Sequence, residues 1–486
     1  MGDGLFHLQM SDQSEIDPKN AANVEQFDDD GKPRRTGTVW TATAHVITAV
    51  IGSGVLSLAW GVAQLGWLAG VSTIFIFSLI TLYTSNLLAD CYRSPDPVSG
   101  ERNCTYGDAV KANLGGKMFL ACRAVQFAIL IGMSIGYTIT ASISMVAIQK
   151  SNCYHMRGHE AKCNFSHNPY MIGMGILEIF LSQIPNFHKL SMLSIVAAIM
   201  SFGYSLVGIG LAFAMVVSGN GKRTTLTGVE VGMNLSTTDK TWRMFTALGD
   251  IALAFSYCQL LIEIQDTLSS AEPENKVMKK ANTMAVCATS AFYMMCGCFG
   301  YAAFGNEASG NLLTGFGFYD PFWLVNLANI FIVVHLVGAY QVFVQPVYDS
   351  FESWARRRWP DSRFVTANYS IVIGKKKKKK LKLDTNLLRL TWRTGFVTLA
   401  TMTAMAMPFF NDILGLLGAV AYWPLTVFFP VAMFVSQKKI RRWSRRWIGL
   451  QLINMVCFLV ALAAACGSIQ GLNKALHAYK PFNVKD

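Results

Sequence analysis

Charge is scarce in this chain. Only 15% of its 486 residues are Asp, Glu, Lys or Arg, where a water-soluble domain carries about a quarter. No polar stretch is long enough for a sizeable soluble domain. No metal-ligand spacing, nucleotide-binding loop or nucleophile constellation is present: Ser, His and Asp are scattered among apolar segments. Nothing at the start resembles a secretory signal peptide, because an acidic, polar tail (Asp28-Asp29-Asp30) and Lys32-Pro33-Arg34-Arg35 precede the first apolar block. These absences argue against a soluble enzyme, a metalloprotein and a secreted scaffold.

Apolar sequence takes their place. Hydrophobic residues make up 52% of the chain, and the mean hydropathy is +0.34. They come in blocks such as 71–88, 127–148 and 456–465. Roughly 20 apolar residues cross a bilayer core. The blocks and their extensions predict about eleven spans, at 38–62, 66–91, 118–148, 170–187, 190–218, 242–266, 280–304, 321–350, 387–408, 411–436 and 448–472. The expected fold is thus an all-α polytopic membrane protein. Residues 1–35 read as a disordered cytoplasmic tail, 36–472 as the transmembrane domain, and 473–486 as a short outer tail.

The formal charge of +13 does not signal nucleic acid, because the Lys and Arg lie in short loops between apolar blocks. With the N-terminus inside, roughly 30 of them fall in inner segments and roughly 9 in outer ones. Arg356-Arg357-Arg358, the lysine run 375–380 and the basic stretch 438–446 mark the inner side. The lysine run reads as a solvated loop, or as a contact for acidic lipid headgroups. The sequons at Asn164 and Asn234 fall outside and would accept glycans; those at Asn103 and Asn368 fall inside. Cys153 and Cys163 share an outer loop, where a disulfide and two free thiols are both open readings.

The first span carries Gly52-Ser53-Gly54 near its middle. Two glycines weaken a helix by about 1 kcal/mol each relative to alanine. If the helix opens there, bare N–H groups at the start of a half-helix suit a carboxylate. The same small residues also serve close helix packing. An ionisable side chain at mid-membrane costs about 2.5–3.5 kcal/mol by insertion scales and needs a reason. His45, Glu178, Asp250 and His335 stand at such positions. Histidine changes charge near neutral pH, yet a buried, hydrogen-bonded imidazole is the plainer account of either one. Arg123, near the inner end of the third span, is within reach of the headgroups.

Longer strings carry a family resemblance. They are Gly37-Thr38-Val39-Trp40, His45 through Trp60, Gly136-Tyr137-Thr138-Ile139-Thr140-Ala141-Ser142, Ser182-Gln183-Ile184-Pro185-Asn186-Phe187-His188 and Ile262-Glu263-Ile264-Gln265-Asp266-Thr267. Gly300-Tyr301-Ala302-Ala303-Phe304-Gly305, residues 310–317 and Val333-Val334-His335-Leu336-Val337-Gly338-Ala339-Tyr340-Gln341 follow in order. The chain resembles plant amino acid permeases of the amino acid/auxin permease family, in the amino acid–polyamine–organocation superfamily, over residues 36–472.

The resemblance implies proton-coupled import of amino acids across the plasma membrane. It implies two inverted five-helix repeats plus one extra helix, with spans 1 and 6 broken. The substrate carboxylate would meet Ile51, Gly52, Ser53 and Gly54, and its ammonium would meet carbonyls near Ala254, Phe255 and Ser256. Tyr137 would close over the carboxylate. Phe255, Tyr257 and Asn329 would shape the side-chain pocket. His45, Asp250 and His335 are the proton-coupling candidates, with no cofactor beyond the proton; the expected partners are the amino acid, the proton and membrane lipids. An auxin-type carrier of the same fold and a non-transporting amino acid sensor are the alternatives. The chain departs from the family at Arg123, Phe127, Ile129 and Asn326, where a small residue, Tyr, Asn and Asp are common.

Overall fold

The computed structural model describes residues 35–158, 160–184, 191–232, 235–316, 321–367, 369–373 and 381–478. Residues 1–34 of the expected inner tail, Asn234, Asn368 and the lysine run 375–380 lie outside the described residues.

Helices account for nearly all of it: α1 (Val39–Val50), α2 (Leu58–Asp90), α3 (Tyr106–Leu114), α4 (Gly116–Arg157), α5 (Asn168–Ser182), α6 (Ser191–Val217), α7 (Thr237–Ala254) and α8 (Leu261–Gln265). There follow α9 (Glu274–Phe304), α10 (Phe322–Arg358), α11 (Arg363–Thr366), α12 (Leu387–Ala406), α13 (Phe410–Ala421), α14 (Phe429–Gln437) and α15 (Arg445–Ala478). Two small antiparallel hairpins lie in connections expected to be loops: β1 (Arg93–Ser94) with β2 (Glu101–Arg102), and β3 (Tyr369–Ile373) with β4 (Leu381–Thr385).

Among the described residues each segment expected to span holds helix, and α4 and α10 run well past their expected ends, to Arg157 and Arg358. Eight helices among the described residues are long and apolar enough to cross a membrane. The twelve residues of α1 and the fifteen of α5 are too short to join that set alone. The expected loop between the first two spans is instead a kink inside α2. Gly66 has φ +79°, and a Cβ there would lie 2.2 Å from the Gly228 nitrogen. Only glycine satisfies both conditions. Where the tenth span was expected, α13 and α14 are joined by a π-helical stretch, Tyr422–Phe428. The last helix runs to Ala478 rather than 472. Large apolar side chains on its outer face, among them Leu452, Met455 and Leu459, are exposed, as lipid-facing residues are.

Close backbone approach holds the centre together. A Cβ on Gly249 of α7 would lie 2.2 Å from the Gly415 carbonyl oxygen of α13, and one on Gly418 would lie 1.9 Å from the Gly249 oxygen. Small residues permit this contact, which lipid alone would not drive. Cys153 and Cys163 form a disulfide, and Asn164 beside it is exposed.

Glu178 belongs to a buried polar chain linking α5, α10 and α12. Its carboxylate accepts from the Gln341 amide at 2.6 Å, and the same amide donates to the Ser182 hydroxyl at 2.9 Å. Arg393 donates to the Ser182 carbonyl and to Glu352, both at 2.7 Å. Breaking a buried pair from one side strands a charge and costs about 3–5 kcal/mol. Arg393→Met should therefore lower the unfolding midpoint in detergent and cut the amount of protein at the membrane. The paired change Arg393→Met with Glu352→Met should restore much of that loss.

Candidate functional site

Two helices stop in the middle of the bundle. α1 ends at Val50, Gly52 is extended (φ −133°, ψ −155°), and the helix resumes as a 3-10 turn at Ser53. α7 ends at Ala254 and resumes as a 3-10 turn at Cys258. The two gaps touch: a Cβ on Gly54 would lie 3.4 Å from the Ala254 Cα. The first N–H groups of a new helical segment have no carbonyl one turn back. At the first restart they belong to Gly52, Ser53 and Gly54, at the positive end of a helix dipole. The carbonyls ending α1 and α7 are the negative counterpart.

The two glycines of the Gly-Ser-Gly sit differently. Gly54 packs on α7. Gly52 has nothing within 4 Å of where its Cβ would be and lines a cavity of about 390 Å³, within the usual range for small-molecule sites. From α1 and the break that follows it the cavity takes His45, Thr48, Ala49 and Gly52; from α10 it takes His335, Gly338, Ala339 and Val342. Each set is an i, i+3, i+4, i+7 stripe, one face of a helix. Tyr137 closes the wall from α4, its ring edge-on to Phe343 at 5.5 Å. Ala254, Ser256 and Tyr257 line it at the α7 break, followed by Glu263 and Thr267. The cavity thus runs from the breaks toward the end of the bundle where α1 begins and α8 ends.

Three expected residues do not line the cavity. The Ile51 and Phe255 side chains are buried outside the cavity lining. The Phe255 ring meets Tyr293 edge-on at 5.3 Å. Asn329 is fully buried off the cavity, its amide donating to the Val325 carbonyl at 2.9 Å. At about 100° per residue it lies some 120° around α10 from His335, and so faces another neighbour.

The proton candidates differ in setting. His45 is exposed on the cavity wall. His335 is buried and fixed: Nδ1 lies 2.9 Å from the Ala197 carbonyl oxygen and 2.8 Å from the Ser201 hydroxyl. A carbonyl only accepts, so Nδ1 carries the hydrogen in that contact and Nε2 is the basic nitrogen. Asp250 is fully buried one turn before the α7 break, and neither carboxylate oxygen has a hydrogen-bond partner among the described residues. Asp412 lines a second cavity of about 610 Å³ on the other side of the breaks, with Trp60, Arg243 and Lys474.

Sequence reasoning does not single out Glu263 or Tyr293. Glu263 lines the first cavity, one oxygen accepting from the Tyr106 N–H at 3.1 Å and the other unpartnered among the described residues. Its place in the Ile262-to-Thr267 string was the available signal, since a lone acid among apolar neighbours asks for a reason. Tyr293 carried no local signal.

A family model described as "Transmembrane amino acid transporter protein" matches residues 35–473. The chain belongs to this family. It is 55% identical to amino acid permease 8 of Arabidopsis thaliana over 96% of this chain and 97% of that one. It is also 55% identical to amino acid permease 1 of the same plant, over 95% and 94%. Among solved structures it is similar to MhsT in complex with L-phenylalanine, with a TM-score of 0.54 at 10% identity, covering 90% of this chain and 100% of that one. That likeness concerns the fold alone. Of the four departures from common family residues, Ile129 alone lines the cavity. Phe127 lies under the Arg123 guanidinium at 4.8 Å, and Arg123 also reaches the Ser350 hydroxyl of α10 at 3.5 Å. Asn326 donates to Asn152 at 2.9 Å between α10 and α4.

Proposed function

We propose that the protein is a proton–amino acid symporter that imports amino acids across the plasma membrane. The observation that carries this reading is the meeting of two broken helices in one cavity. A zwitterion needs donors for its carboxylate and acceptors for its ammonium within a few ångströms. The N–H groups at Gly52, Ser53 and Gly54 supply the first. Carbonyls beyond the end of α7, at Phe255 and Ser256, supply the second, because the Ala254 carbonyl already accepts from Tyr293. Tyr137, Tyr257 and Ile129 then bound the side chain. Glycine at 52 leaves the approach to the N–H groups open.

The N-terminus is placed in the cytoplasm and the C-terminus outside, following the bias of Lys and Arg. The cavity then faces the cytoplasm, and the second cavity is the outer approach. Coupling is sufficient on magnitude. One charge crossing about 100 mV releases roughly 2.3 kcal/mol, and one pH unit adds roughly 1.4. Together they support an inward ratio on the order of 500 for a net-neutral substrate.

The test is uptake of labelled amino acids, and of a labelled auxin, by transporter-deficient cells at acid and neutral outside pH. Amino acid uptake that rises with acidity supports the reading. Preference for the auxin would make it an auxin-type carrier, and binding without flux would make it a sensor.

A further inference from the structure

Tyr293 lies in the middle of α9, fully buried. Its hydroxyl oxygen is 2.5 Å from the carbonyl oxygen of Val50 and 3.0 Å from that of Ala254. These are the last helical residues of α1 and α7. Their carbonyls carry the partial negative charge of two helix dipoles, so they repel one another and together attract a cation. Transporters with helices broken at mid-membrane use such freed carbonyls and half-helix ends to hold a coupling Na⁺ or H⁺. In this chain one neutral hydroxyl reaches both.

The hydroxyl is held there from its own side. Its ring meets Phe255 edge-on at 82°, and α9 packs along both α1 and α2. Tyr293 is outside the cavity lining, so it touches the substrate site only through the two breaks. Its single O–H hydrogen is shared between the two acceptors, and it screens one carbonyl from the other.

We infer that Tyr293 stands in for a metal cation. It ties the ends of α1 and α7 in the arrangement that presents both breaks to the substrate, and it thereby makes substrate binding independent of Na⁺. It is a positioning residue, and the inference rests on the transport reading above.

The experiment compares wild type and Tyr293→Phe in sodium-containing and sodium-free medium (N-methylglucamine replacing sodium), with surface protein quantified. Wild-type uptake should be the same in both. Tyr293→Phe should take up about tenfold less in sodium-free medium, the loss of a hydrogen bond that leaves buried acceptors unpaired. Sodium or lithium should restore part of it, because the vacated carbonyls then accept an ion. Three results would overturn the inference: wild-type uptake that requires sodium, a Tyr293→Phe variant with normal sodium-free uptake, or a loss in that variant that no cation relieves. If the variant fails to reach the membrane, the sodium response of wild type still decides. Wild type moving no amino acid under any condition would defeat the transport reading instead. Thermal stabilisation of the purified protein by an amino acid, with and without sodium, would then test the Tyr293 assignment alone.

Discussion

Gly52→Val should abolish uptake while the protein still reaches the membrane. A side chain at 52 would enter the open space through which a carboxylate reaches the N–H groups of the restarting helix. Charge-assisted hydrogen bonds contribute about 1.5–3 kcal/mol each, so losing two lowers affinity by roughly a hundredfold or more. Gly52→Ala should be milder, since one methyl group leaves part of the approach clear. Gly54→Val should behave differently. Its Cβ would already be 3.4 Å from the Ala254 Cα, and the further methyl groups would push the first turn of the half-helix off α7. That variant should lose uptake and stability together. Uptake kinetics with surface labelling separates the two. Normal affinity in Gly52→Val would remove the carboxylate site from this break.

Asp250→Asn should abolish uphill accumulation while preserving exchange of internal for external amino acid. The carboxyl is buried one turn before the α7 break without a hydrogen-bond partner among the described residues. A buried carboxylate with no donors is costly, so a change in its charge and a movement of α7 favour one another. Exchange returns the carrier with substrate bound at each crossing and needs no net proton movement, so an amide at 250 should permit it. The wild type should accumulate substrate more strongly as outside pH falls from about 7 to about 5, the range in which histidine also changes charge. His335→Gln should weaken that dependence by removing the basic Nε2. His45→Gln should leave it largely intact, because the His45 side chain stands exposed on the cavity wall and is tied to no packed element. Accumulation by Asp250→Asn that keeps its full pH response would shift the proton site to His335.

The first break was legible in the sequence because glycine marks it locally. The second was not. No glycine or proline stands at Ala254-Phe255-Ser256-Tyr257; the end of α7 there meets Gly54 and Tyr293, both distant in sequence. Which residues face the cavity was half legible. The stripes His45-Thr48-Ala49-Gly52 and His335-Gly338-Ala339-Val342 follow the helical period. Asn329 is misplaced because the resemblance names a helix but not its rotation. The kink at Gly66 resembled a loop, since Gln64 and Gly66 interrupt an otherwise apolar run. Glu178 invited a functional reading as a buried charge, yet it joins a polar chain through Gln341 and Ser182 to Arg393 and Glu352. Such a network depends on three helices and leaves no mark on any one of them.

The central claim is that a zwitterion docks across the two breaks and enters with a proton. Current evoked in voltage-clamped cells by a neutral amino acid, set beside that evoked by its carboxamide, tests it most directly. In sodium-free medium the amino acid should evoke an inward current that grows as outside pH falls, and the carboxamide, which lacks the carboxylate, should evoke little. Equal currents from the two compounds, or uptake of the amino acid with no current at any pH, would contradict it.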